Sequence, residues 1–385
     1  MTQAITDKTC SRRSFLMFGG KAALTVALVP GTLAALAGCK SDKGDEIFRG
    51  ERKIVDHADR EVTIPTVDTL ERIYFTSALA QTYVFSLAPE LQGGTALQLT
   101  EEELKYMPAL EADLEYMGSM SGGGEIDREM LVEKDIQLIF SISGSPLSAS
   151  DISIADELQD STGIPVVMVD GSFTNVVEAY RFVGDIMGQE ERGAEISAFL
   201  KDIYDGVTAA VADVPDDERV SLYYAEGPFG LATEPAGSEH GAVFDVCRAR
   251  NVAKVELTSG LGMTTVNLES VIEWDPEVIV AWDDVIRGGA DEIIRTDPDW
   301  SDIRAVKDGR VYTMPNAPFA WCDRPPGMNR FLGLQWVANM LYPDRYDVDM
   351  VEKTKEFFSK VYWADITDEQ AKDLLGNSYP PYKKA

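Results

Sequence analysis

Residues 317–333 read APFAWCDRPPGMNRFLG and bring several kinds of chemistry into one short stretch. Trp321 and Phe319 offer flat apolar faces. Arg324 offers a planar fork of donors that matches carboxylate or other anionic oxygen. Pro325 and Pro326 restrict their own backbone and that of the residue before each. A loop stiffened in this way gives up little conformational freedom when a ligand binds. The combination suits a rigid, partly aromatic, anionic ligand. It equally suits a Pro-Gly turn in which Trp321 packs into the core and Arg324 pairs with Asp323. Trp282, at the end of an apolar run, carries the same two readings, and His240 is a further candidate ligand contact.

Cys322, His240 and Asp323 have the residue types of a nucleophilic triad. Neither a glycine-flanked nucleophile elbow nor an HExxH pattern accompanies them. The expectation is therefore no enzyme, with an exported α/β hydrolase as the alternative of another class. The glycine loop GSMSGGGE (118–125) lacks the lysine and Ser/Thr of a P-loop, and no GxGxxG follows a strand. The chain has two histidines, His57 and His240, which argues against a site with several imidazole ligands. No protein-held metal is expected, and His57, beside a predicted turn, is given no ligand role.

The elements that must position these residues fill a chain of 385 residues, long enough for two lobes. A formal charge of −30 excludes nucleic acid as a partner, because neutralising phosphates needs a basic face. Residues 1–38 read as a leader: Arg12 and Arg13 precede an apolar stretch that is short for a membrane span and ends in Leu36-Ala37-Gly38-Cys39. This looks like a twin-arginine export signal joined to a lipoprotein cleavage box, with Cys39 as the lipidated first residue of the mature chain. Residues 39–52 read as a flexible tether. Of the remaining cysteines, Cys247 and Cys322 are expected to be unpaired thiols.

KIVDHADREVTIP (53–65) predicts a hairpin, and RIYFTS (72–77) a strand. IQLIFSIS (136–143), IPVVMVD (164–170), RVSLYYAEG (219–227), EVIVAWD (277–283) and RVYTMP (310–315) predict further strands. The most continuously apolar of these suit parallel sheets covered on both faces. Apolar residues recur at close to a 3.6 period between Gln189 and Val211, predicting one long helix. Thr100/Glu103 and Thr367/Gln370 have capping-box spacing. An internal echo ties the halves together. IDREMLVEKDIQLIF (126–140) and VNLESVIEWDPEVIV (266–280) align at one constant offset, matching Glu129 to Glu269, Glu133 to Glu273 and Asp135 to Asp275. Two lobes of similar build are expected, one on each side of the long helix. Ligands of open α/β sheets bind beyond the carboxyl ends of the strands. The candidate site is therefore a cleft between those ends.

WSDIRAVKDGRVYTMPNAPFAWCDRPPGMNRFLGLQWVANMLYPD (300–344) resembles the C-terminal lobe of solute-binding proteins of ATP-driven importers for metal chelates: iron–siderophore complexes, haem and cobalamin. The hairpin, EIDREMLVEKDIQLIF and GLATEPAGSEHGAVFDVCRARNVA (230–253) extend the resemblance, in order, along nearly all of residues 53–375. It implies an α/β fold of the class III periplasmic-binding type, with two Rossmann-like lobes of mainly parallel sheets joined by one long α-helix. The implied division is an N-terminal lobe over 53–171, a helical linker over 172–213 and a C-terminal lobe over 214–385. It also implies a monomer with no intrinsic cofactor, anchored outside the cytoplasm by lipid on Cys39. An ABC permease with its ATPase would be the partner, docked through an acidic residue on each lobe. The DRPPG variant resembles members that take iron complexes. In an iron(III)-chelate site Trp282, Phe319, Trp321 and Tyr83 would hold the organic part, and Arg324 would meet the anionic oxygens. In the alternative haem or cobalamin site, His240, Met120 or Met263 would approach an axial metal position.

Overall fold

The structure is a computed structural model, and it describes residues 50–110, 113–257, 262–282 and 289–376. Arg12, Arg13, Cys39 and most of the expected tether lie outside the described residues. The chain enters through the expected hairpin. Strands β1 (Glu51–Val55) and β2 (Glu61–Pro65) pair antiparallel, with Ile54 opposite Val62. The turn between them is closed by the Asp56 carboxylate, which accepts from the backbone N–H of Ala58 and Arg60, both at 3.0 Å.

The first lobe is built on a parallel sheet ordered β3 (Ile73–Phe75), β4 (Leu138–Ser143), β5 (Val166–Asp170). Helices α1 (Ala78–Leu87), α2 (Glu101–Leu104), α3 (Arg128–Glu133) and α4 (Ala149–Thr162) connect and cover these strands. The Thr100/Glu103 capping box forms at the start of α2, and Ser148 with Asp151 forms another at the start of α4. Such caps satisfy backbone donors that the first helical turn leaves without partners. After β5 come α5 (Val176–Met187) and the long α6 (Glu190–Val211), which buries Ile196, Leu200, Ile203, Val207 and Val211 along one stripe.

The second lobe carries a parallel sheet whose order, from one edge, is β11 (Val311–Thr313), β10 (Val278–Ala281), β6 (Ser221–Ala225), β8 (Arg250–Asn251). A two-stranded ribbon, β7 (Ala232–Thr233) with β9 (Thr264–Thr265), lies between β6 and β10 in the chain. Helices α7 (Ala242–Val246), α8 (Leu268–Trp274), α9 (Asp291–Thr296), α10 (Arg304–Lys307) and α11 (Asn329–Leu341) complete it. Every residue of α11 is buried, so this helix crosses the centre of the molecule.

The sequence echo is structural. The caps Asp127 and Asn267 each accept from the N–H three residues on, at 2.9 and 2.8 Å. Both units end in a left-handed aspartate, Asp135 at φ 52° and Asp275 at φ 42°. Burial runs in the same order through 131–140 and 271–280, so β4 and β10 are equivalent strands in the interiors of their sheets.

The last helices, α12 (Met350–Val361) and α13 (Asp368–Leu375), were placed with the C-terminal lobe by sequence. Besides packing on α11, this segment reaches the first lobe and the long helix. Trp363 Nε1 donates to Phe85 O at 3.1 Å, Phe358 meets Tyr106 edge-on at 5.6 Å, and Arg192 donates to Lys360 O. The Thr367/Gln370 capping box opens α13 as expected. Cys247 and Cys322 are free and buried.

Candidate functional site

A cleft of about 590 Å³ lies beyond the carboxyl ends of the two parallel sheets. The first lobe contributes Ser77 and Ala78 after β3, Gly144 after β4, and the loop residues Leu97 and Ser121. The second lobe contributes His240 and the opening patch of the sequence: Phe319, Ala320, Arg324, Pro325 and Pro326. The lobes touch at the floor. A Cβ on Gly144 would fall 2.7 Å from Pro326 Cγ and 2.8 Å from Glu239 Oε1, so only hydrogen fits there.

The patch is tied to itself and to α11. Trp321 N donates to Pro315 O at 3.0 Å, and Ala320 N to Arg324 O at 3.2 Å. Asn329 Nδ2 reaches Ala320 O, and Arg330 Nη2 donates to Pro326 O at 2.7 Å. The peptides Ala317–Pro318 and Arg324–Pro325 are cis.

Arg324 is the electrostatic centre of the second lobe's wall. Nη1 donates to Glu226 Oε1 at 2.8 Å, Nη2 to Glu234 Oε1 at 3.1 Å, and Nη1 also meets Asp323 Oδ2. All three carboxylates are buried, and their oxygens lie within 4.8 Å of one another. Three negative charges cannot share one guanidinium in so dry a place, and the first to give way is Glu226. Burial, with the Glu234 charge beside it, pushes its carboxyl up to about 8 against the pull of Arg324. Glu234 also accepts the backbone N–H of Met263 at 2.9 Å. Gly262, at φ 75°, permits that approach; a Cβ there would sit 1.8 Å from the carboxylate oxygen.

Asp323 gathers a second set of donors. Its Oδ1 pairs with His240 Nδ1, and its Oδ2 lies 3.5 Å from the Tyr224 hydroxyl, which in turn receives Trp282 Nε1. Trp282 lies under the guanidinium of Arg324, 4.8 Å from Cζ to ring centroid. Burial and the Arg324 charge hold His240 below its ordinary pKa, so the ring is neutral at pH 7.

The sequence-predicted site residues therefore divide. Phe319, Arg324 and His240 line the cleft. Trp321 is 1% exposed and packs in the core, the second of the two readings open to it, and Arg324 pairs with Asp323 as that reading requires. Trp282 is likewise 1% exposed, serving as a platform behind Arg324 rather than a surface for ligand. Tyr83 is fully buried, stacked on Tyr180 at 4.4 Å. Met120 and Met263 are half-buried beside the cleft loops, and neither is in its described lining. Cys322 is fully buried and its thiol is pushed far up by burial, so it is no nucleophile. Nothing in the sequence singles out Glu226 and Glu234 within the loop 226–241 that follows β6. Glu226 directly follows β6, and its place at the carboxyl end of a strand is the one signal that points to it.

Comparison with known proteins agrees with this geometry. The family model described as periplasmic binding protein matches residues 78–318. The chain is 26% identical over 353 residues to the molybdate-binding protein MolA of Haemophilus influenzae, covering 83% of this chain and 93% of that protein. It is 24% identical to YvrC of Bacillus subtilis, an uncharacterized ABC transporter substrate-binding lipoprotein, covering 81% of this chain and 94% of YvrC. Among solved structures, an ABC transporter solute-binding protein from Sulfurospirillum deleyianum superposes with a TM-score of 0.75 at 25% identity. That match covers 84% of this chain and 98% of the other.

Proposed function

The chain belongs to the periplasmic binding protein family, and from that premise we propose that it captures an iron(III) chelate outside the cytoplasm. It is a substrate-binding protein of an ABC transporter, so its solute passes to a permease driven by an ATPase. The observation that supports a chelate is the cleft itself. Its volume of about 590 Å³ falls within the range of organic-ligand pockets, about 300–1,000 Å³, and far exceeds what a bare tetrahedral oxyanion fills. Phe319, in the lining of the cleft, offers the organic shell an apolar face, and Arg324 with its three carboxylates makes the polar part of the same wall. The metal arrives already wrapped, so the protein does not build a full coordination shell.

Molybdate is the second reading, favoured by the relative that binds it. The wall argues against a free oxyanion: Arg324 is already shared by Glu226, Glu234 and Asp323, which leaves little uncompensated positive charge. The test is an intrinsic-fluorescence titration of the full chain with a panel of ferric chelates and with molybdate. Saturable binding of a ferric chelate with none of molybdate supports the proposal. Tight molybdate binding without any chelate binding overturns it.

The export and anchoring elements belong to the same proposal. Arg12 and Arg13 direct twin-arginine export, Cys39 carries the lipid, and the mature protein acts as an anchored monomer. No helix among the described residues is long and apolar enough to cross a membrane. For docking we propose Glu129 and Glu269, exposed at equivalent positions of α3 and α8 in the two lobes.

A further inference from the structure

The sequence points to an anionic ligand at Arg324; the structure reverses the sign. Arg324 is the one Lys or Arg among the described residues that line the cleft, and the His240 ring in the same lining is neutral. The guanidinium is 13% exposed and already engaged by Glu226, Glu234 and Asp323, with the Trp282 ring beneath it. Little of its edge remains for an anion. Glu226 keeps its proton at pH 7, yet Glu234 and Asp323 by themselves outweigh the single cation. Arg330 is fully buried and donates to Pro326 O behind the floor. Burial brings its pKa down to about 10 against the pull of the Glu239 charge, so it stays a cation that Glu239 offsets. Glu239 in turn reaches the floor at Gly144, where its Oε1 takes no hydrogen bond. On the facing wall the one charged residue in the described lining is Glu103, at the rim.

Two guanidiniums thus stand against five carboxyl groups, of which Glu226 alone holds a proton at pH 7. The excess acts strongly here, because a dry wall screens charge poorly. The whole chain adds to it with a formal charge of −30. We propose that the cleft selects its solute by charge: the captured complex is a cation, and Arg324 braces its own wall rather than receiving anionic oxygen. This rests on the reading of the cleft as a metal-chelate site and narrows the solute. A neutral chelate core with a protonated amine on its organic shell meets the requirement. An oxyanion, or a chelate with ionised carboxylates at its surface, does not. Glu103 is the carboxylate such a solute reaches without opening the Arg324 network. No bond forms or breaks on capture, and no electron moves.

A series of ferric hydroxamates that differ in the charge of one tail tests this on the full chain. Ferrioxamine B ends in an ammonium, its N-acetyl derivative is neutral, and its N-succinyl derivative ends in a carboxylate. All three wrap the iron in the same hydroxamate shell. Quenching of intrinsic fluorescence reads their affinities. The expected order is ammonium, neutral, carboxylate, with about tenfold between steps, the effect of one charge about 10 Å away at an effective dielectric of about 20. Added salt should narrow the steps. Glu103→Gln keeps an oxygen for the Thr100 cap, so its melting temperature should match wild type. It should weaken the ammonium form about threefold and leave the neutral form unchanged. A loss shared equally by all three forms would overturn the role of Glu103. Equal affinities in wild type, or the carboxylate form bound tightest, overturn selection by charge and leave the capture of a ferric chelate standing. Binding of an anionic ferric tris-catecholate with none of the three does the same. Failure to bind any of these ferric chelates removes capture, and the charge rule with it.

Discussion

The two lobes repeat each other in build and differ in what they show the cleft. Through α3–β4 and α8–β10 they share the cap, the left-handed aspartate and the order of buried positions. Past the strands they diverge. After β4 the first lobe presents Gly144 and neighbouring serines and leucines, small and uncharged apart from Glu103 at the rim. After β6, β10 and β11 the second lobe presents Glu226, Trp282 and, a few residues on, Asp323 and Arg324, fixed in one network with His240 and Glu234. A repeated scaffold thus makes the gap, while one wall alone carries preorganised charge. The first wall supplies shape.

If that asymmetry is right, the largest effect comes from the charged wall. Arg324→Met leaves buried Glu234 and Asp323 without their cation and should cost about 3–5 kcal/mol in urea unfolding. Ser121→Ala on the facing wall should stay within about 0.5 kcal/mol. Equal costs would erase the distinction between the walls. Gly144→Val is the sharper probe of shape. Its side chain would push on Pro326 and Glu239 at the floor, with an expected loss of about 1–3 kcal/mol and a wider cleft by small-angle scattering.

The pH dependence isolates Glu226. Its carboxyl is raised in the fold, so the folded state holds a proton the unfolded state has released. The resulting stability is fully present below the ordinary carboxylate pKa and is lost as pH rises to about 8. Glu226→Gln cannot ionise. Its melting temperature should therefore fall less than that of wild type between pH 5 and pH 8, and a parallel fall in both would assign the trend elsewhere. The smallest effect on stability comes from the shared scaffold. Glu129→Lys with Glu269→Lys should leave folding and chelate binding within about 0.5 kcal/mol while reducing uptake by cells. Undiminished uptake would remove these residues from the docking surface.

Much of the fold was legible because its signals are local. The hairpin, the Thr100 and Thr367 capping boxes and the 3.6-period stripe of α6 each depend on neighbours a few residues away. The repeat was legible because its match includes the left-handed aspartates, a backbone requirement as well as a pattern. The site was legible only by region. Sequence located the loop 317–326 but could not choose between ligand face and core for Trp321, because both fates demand a large apolar ring. The structure turns Trp321 inward and leaves Phe319 at the cleft. Glu226 and Glu234 were hidden among 65 acidic residues, since nothing local distinguishes a buried carboxylate from a solvated one. The contact of α12 and the residues just after it with the first lobe is a long-range packing event, made by Tyr106–Phe358 and Trp363–Phe85 contacts that no sequence window contains.

Native mass spectrometry of the full chain, purified from its own host, tests the central claim most directly. The account predicts one added mass per chain, that of an organic complex carrying a first-row transition metal, released on unfolding. A chain that carries only molybdate, or that stays bare after incubation with every ferric chelate offered, would contradict it.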